Sequence, residues 1–89
     1  MNIVVIESGF TYIGNATAET HEILGKVCKL QNASNIRRWG TTRGLGQLST
    51  QGKQKETVLD FVGTVIVPVG KILHIIELSE TAKDSFKNG

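Results

Sequence analysis

The residues best equipped for chemistry lie between positions 37 and 55. Trp39 offers a flat face on which a nucleobase can stack, a contact that contributes ~1–3 kcal/mol. Arg37, Arg38 and Arg43 can fork onto phosphate oxygens or stack on a base. Thr41 and Thr42 add hydroxyl donors. Gly40, Gly44 and Gly46 let backbone N–H groups approach an anion closely. Lys53 and Lys55 could close over a ligand from a second loop. These residues suit a ligand that carries both bases and phosphates. The competing reading puts Trp39 in the core, the glycines in tight turns and Lys53 and Lys55 at a solvated hairpin tip.

Catalytic patterns are thin. The stretch Gly44 to Leu48 lacks the terminal Gly-Lys-Ser/Thr of a phosphate-binding loop and the three spaced glycines of a dinucleotide fingerprint. His21 lies in a polar stretch and His74 in an apolar one, and the two have no metal-ligand spacing. Lys26 and Lys29 flank Cys28 and could lower its pKa, although a small buried thiol is the commoner case. Glu56 and Asp60 would share a strand face, where pairing with basic side chains is commoner than metal binding. The chain is therefore expected to be no enzyme and to use no cofactor and no metal.

Charge is segregated along the 89 residues. Residues 1–25 hold three acids and no Lys or Arg, and residues 26–55 hold seven Lys or Arg and no acid. Residues 56–89 hold five acids and three lysines, and the net charge is +2. A basic block of this kind favours an anionic partner; the alternative is that it pairs with its acidic flanks on folding. No stretch approaches the ~20 apolar residues that span a bilayer. The first residues read as a strand, not as a signal peptide. A single cysteine, Cys28, points to a reducing cytoplasm. With 39% apolar residues the core must be thin, and self-association is one way to enlarge it.

The elements that must position these residues are mostly short strands, with residues 1–89 forming one domain. Residues 3–6 and 10–14 predict a hairpin turning at Gly9. Residues 16–25 read as a short helix or a polar loop. Residues 25–31 alternate as a strand in which Val27 and either Leu30 or Cys28 face inward. Residues 32–35 offer turn chemistry, and extended structure resumes at 36–39. Residues 40–52 predict a compact loop with a helical turn near 45–49, pinned by Leu45 and Leu48. Residues 57–60 and 63–67 predict two strands joined through Phe61 and Val62, the second ended at a sheet edge by Pro68. Residues 71–78 are nearly continuously apolar and predict the best core strand, with a short helix as the alternative. Residues 79–89 predict either a frayed helix capped by Ser79 or a disordered tail. The expected fold is mostly β (or α+β): a small sandwich or barrel-like sheet with one or two short helical turns.

The run IRRWGTTRGLGQL at 36–48, followed by TVLD at 57–60, GTVIVP at 63–68 and a final apolar strand, resembles a family of small bacteriophage-encoded proteins over about residues 24–78. That family is identified as including the phage sponges that sequester cyclic nucleotide signals and so blunt a bacterial defence called CBASS. The resemblance implies a cytoplasmic immune-evasion protein, a dimer or tetramer that binds a cyclic di- or oligonucleotide without cleaving it. Arg37, Arg38, Trp39, Thr41, Thr42 and Arg43 are the positions placed against such a ligand, on their chemistry in this sequence. A two-fold ligand suits a site between identical subunits. The competing readings are a nucleic-acid-binding module, with affinity falling steeply in salt, a structural or protein-interaction phage component, and, least supported, a small hydrolase.

Overall fold

A computed structural model of the chain describes residues 1–41 and 44–87, and side chains as far as Phe86. Thr42 and Arg43 lie outside the described residues. The strands are β1 (Asn2–Ile6), β2 (Thr11–His21), β3 (Gly25–Arg38), β4 (Val58–Pro68) and β5 (Ile72–Glu77). The helices are α1 (Leu45–Gln51) and α2 (Glu80–Lys87), and a 3₁₀ turn, Val69–Lys71, links β4 to β5. The fold is mostly β with two short helices, as its alternating apolar segments predict.

All five strands join one sheet in the order β4-β3-β2-β1-β5, every neighbouring pair antiparallel. The edges of this sheet, β4 and β5, are consecutive in sequence and separated by three residues. Four Cα steps reach at most ~14 Å, whereas a flat five-stranded sheet would separate its edges by ~19 Å. The sheet must therefore curl at this end, as a partly closed barrel does. The Glu7 amide donates to the Lys71 carbonyl at 2.8 Å, and Lys71 Nζ lies 3.3 Å from Glu7 Oε2, which fixes the turn against the β1 end.

The curl explains two separate apolar clusters. Val4, Cys28, Leu30, Ala33 and Val67 are buried on one face, with Ile6, Tyr12, Val65 and Ile72 packed around them. Strands bending over the face supply this cover. Ile3, Ile13 and Ile36 are buried on the other face beneath Leu48 of α1 and Ala82 and Phe86 of α2, together with Leu78. Leu48 is fully buried and Leu45 packs alongside it, so the two leucines anchor α1 as their spacing predicts. Ser79 caps α2: its Oγ accepts the Ala82 amide at 3.1 Å and donates to the Thr50 carbonyl at 2.9 Å.

Four expectations are corrected. Residues 16–21 are neither helix nor loop but continue β2, where Ala16, Thr17, Ala18 and Glu19 pair with Leu30, Lys29, Cys28 and Val27. Residues 32–35 do not turn the chain. They lie within β3, where Asn32 takes a left-handed conformation (φ 52°) and the register shifts. Phe61 and Val62 likewise lie within β4, and Gly63 (φ 103°) absorbs the irregularity opposite Ala33. Turn-forming residues here make bulges, because the ladder on either side outweighs local preference. Finally, β5 is an edge strand and not a central one. Leu73 and Ile75 are 58% and 52% exposed, and only Ile72 and Ile76 are half-buried.

Candidate anion-binding end of the sheet

The β3–β4 pairing brings the two basic segments to one end of the sheet. Ile36 pairs with Leu59 and Arg38 with Val58, so two residues of β3 oppose one of β4. This bulge leaves the consecutive Arg37 and Arg38 both exposed. Past it, the segments 39–41 and 54–57 are fastened together. Thr57 Oγ1 donates to the Trp39 carbonyl at 2.7 Å and accepts the Gln54 amide at 2.9 Å. Gly40 lies in the left-handed region (φ 67°) with its Cα facing the next loop, where a Cβ would collide with the Glu56 carbonyl carbon and the Thr57 nitrogen. Gly40 is thus required for both backbone conformation and close approach.

Lys53 is held from a third element. Its amide donates to Ser85 Oγ of α2 at 2.9 Å, and that hydroxyl donates to the Ala82 carbonyl at 2.8 Å. Lys55 is exposed in the turn that follows, and Thr41 is half-buried. Gly44 adjoins α1 with φ 86° and ψ −165°, a conformation that only glycine adopts readily. Gly46 lies within α1.

The charges at this end are unequal in availability. Arg37 Nε lies 3.3 Å from Asp60 Oδ2, so Arg37 follows the expectation that basic residues pair with acidic flanks. Among the described residues Arg38, Lys53 and Lys55 have no carboxylate partner. Trp39 is 43% exposed, so it is not a core residue. Lys26 and Lys29 belong elsewhere. Eight residue steps along β3 separate Lys29 from Arg37, roughly 26 Å if extended, and Lys29 pairs with Glu19 at 3.9 Å. The basic block of the sequence is therefore two regions in space.

The other sequence candidates take structural roles. His21 Nδ1 accepts the amides of Ile23 and Leu24 at 3.0 and 3.2 Å, closing the β2–β3 turn. Burial pushes the Cys28 thiol above its ordinary pKa, opposite to the effect expected of flanking lysines. Asp60 serves Arg37, and Glu56 lies in the loop before β4. A cleft between α2 and β2–β4, which includes Asn15, Asn32, Ser34, Phe61 and Lys83, was not marked by sequence spacing. Its residues come from four elements, and only the strand register brings them together.

No known family, curated protein or solved structure matches this chain. No helix among the described residues is long and apolar enough to cross a membrane.

Proposed function

We propose that this protein is a non-catalytic binding protein for a phosphate-bearing ligand, engaged at the end of the sheet where Arg38, Trp39, Lys53 and Lys55 gather. The observation that carries this reading is the fastening of the two basic segments through Gly40 and the Thr57–Trp39 hydrogen bond. It brings the chain segments that carry Trp39 and Lys55 together at the end of β3 that carries Arg38. These residues provide charge, forked donors and a stacking face, and binding needs no nucleophile.

The resemblance to phage sponges extends the proposal. The ligand is then a cyclic di- or oligonucleotide alarm, sequestered intact in the cytoplasm of a bacterial host. Exposed apolar side chains on both sheet edges support a homo-oligomeric form: Val62 on β4 is 51% exposed, and Leu73 and Ile75 on β5 are similarly open. An oligomer would let a symmetric ligand meet two copies of the same end.

The test is a thermal-shift screen against cyclic dinucleotides, cyclic trinucleotides, linear dinucleotides and single-stranded DNA, with size-exclusion chromatography alongside. A ligand at 100 times its Kd adds ~2.7 kcal/mol of stability. The expected result is a raised Tm with a cyclic species that is recovered uncleaved, and a loss of that shift in Arg38→Ala. A shift with DNA alone, collapsing as salt rises, would replace this reading with a nucleic-acid module. No shift with any of these ligands would reject it.

A further inference from the structure

A cleft of about 640 Å³ lies between α2 and the strands β2, β3 and β4, lined by residues other than the cations and the indole of the basic end. Pockets that hold small organic ligands typically measure about 300–1,000 Å³ and combine apolar walls with a few polar groups.

The strand register builds the floor. Ile13 pairs with Ser34, and Ser34 pairs with Phe61, so an aliphatic side chain, a hydroxyl and an aromatic ring stand in one row across three strands. Leu59 adds a second apolar floor position. The helix supplies the roof: Lys83 and Phe86 are three residues apart and project from the same side of α2. Phe86 is 8% exposed and belongs to the core, whereas Phe61 is 73% exposed at the rim. A ring entering the cleft would lie against Phe61.

Two amides complete the lining, Asn15 and Asn32. Asn32 is the residue with φ 52°, and three irregularities of pairing occur at this level of the sheet, between Ile13 and Asn15, between Leu30 and Ala33, and between Ala33 and Ser34. Bulges re-aim side chains and are enriched beside binding sites. Among the described residues the side chains of Asn15, Asn32 and Ser34 make no hydrogen bond, and none is a buried unsatisfied group, so all three are open to a ligand. Lys83 Nζ lies 3.2 Å from Glu80 Oε1, but that carboxylate is 91% exposed. Such a surface pair is weak, and an anion could take its place.

We propose that this cleft is a second binding site, for a planar heterocycle that bears hydrogen-bonding edges and one anionic group, the chemistry of a mononucleotide. The heterocycle lies against Phe61. Asn15, Asn32 and Ser34, which supply donors and acceptors alike, meet its polar edge, and Lys83 meets the anion. The proposal stands on residues separate from the basic end.

Amide-resolved NMR of the full chain, titrated with adenosine 5′-monophosphate and with adenosine, tests it. The expected result is movement of the Asn15 and Asn32 side-chain amides and of the Ser34 and Phe61 backbone amides. Phe61→Ala should weaken adenosine 5′-monophosphate roughly tenfold through lost stacking. Lys83→Ala should weaken the nucleotide roughly tenfold and adenosine less than about twofold, since only the former carries the charge. Both positions are at the surface, and circular dichroism checks that each variant folds. If one does not, the wild-type shift map decides. Shifts confined to Arg38, Trp39, Lys53 and Lys55 would overturn this site and leave the basic end standing. Absence of shifts at millimolar ligand, or variants with unchanged affinity, would overturn it as well.

Discussion

Substituting Gly40 by alanine tests the fastening of the basic end directly. Gly40 has φ 67°, and a Cβ there would meet the backbone of Glu56 and Thr57. Placing a non-glycine residue in the left-handed region costs roughly 1–2 kcal/mol. Relieving the collision requires the 39–41 segment to move off the 54–57 segment, which breaks the 2.7 Å bond from Thr57 to the Trp39 carbonyl. Losing that bond adds about 1 kcal/mol. The sum is about 2–3 kcal/mol, which for a domain of this size lowers Tm by roughly 10–20 °C. Gly9→Ala is the control, because Gly9 has φ 92° but nothing within 4 Å of the added Cβ. It should show only the conformational part, about 1–2 kcal/mol. Urea unfolding followed by circular dichroism gives both midpoints. If Gly40→Ala unfolds no more readily than Gly9→Ala, the two loops do not approach as described, and the convergence of the basic segments loses its basis.

Leu48→Ala should destabilise by about 2–5 kcal/mol, because Leu48 is fully buried between α1 and the sheet; the same urea assay reads it. Asp60→Asn should change stability by less than about 1 kcal/mol, since its pair with Arg37 is exposed. It should also tighten the phosphate-bearing ligand, by freeing Arg37, in a thermal-shift titration. Cys28 should react slowly with a disulfide reagent in the native state and fast in urea, because burial holds the thiol protonated. The sign of its linkage to stability follows. The raised folded pKa leaves stability intact below the ordinary thiol value of 9.0 and erodes it as pH climbs from there through the raised value.

The sequence was legible where local pattern and burial agree. The first hairpin, the pinning of α1 by Leu45 and Leu48, the Ser79 cap and the edge position of Pro68 all follow from residue type and spacing. It misled where local turn chemistry met a long ladder. Asn32 and Gly63 do adopt unusual backbone conformations, but each does so inside a strand, because pairing on both sides outweighs chain reversal. It misled again at residues 72–77, whose apolar run reads as central. Continuous hydrophobicity records that both faces are apolar, and it cannot say that one side of the strand has no neighbour. The α2 cleft was illegible for a related reason. Ser34 and Phe61 become neighbours only through the β3–β4 register, which depends on bulges that no spacing rule gives.

Charge shows how far register governs chemistry in this fold. Seven cations fall within one acid-free block at residues 26–55, yet β3 is long enough to carry Lys26 and Lys29 to one end and Arg37 and Arg38 to the other. Antiparallel pairing then fixes which acids meet which cations. Glu19 on β2 meets Lys29, and Asp60 on β4 meets Arg37. One position further along, the bulge opposite Val58 presents Arg38 without such a partner among the described residues. A single-residue slip of β4 would move Asp60 and exchange which arginine is neutralised, because alternate residues face opposite sides of a strand. The availability of Arg38 is thus a consequence of the bulge, not of the composition of the segment. A change that straightens the β3–β4 ladder should alter anion binding even though it removes no charge.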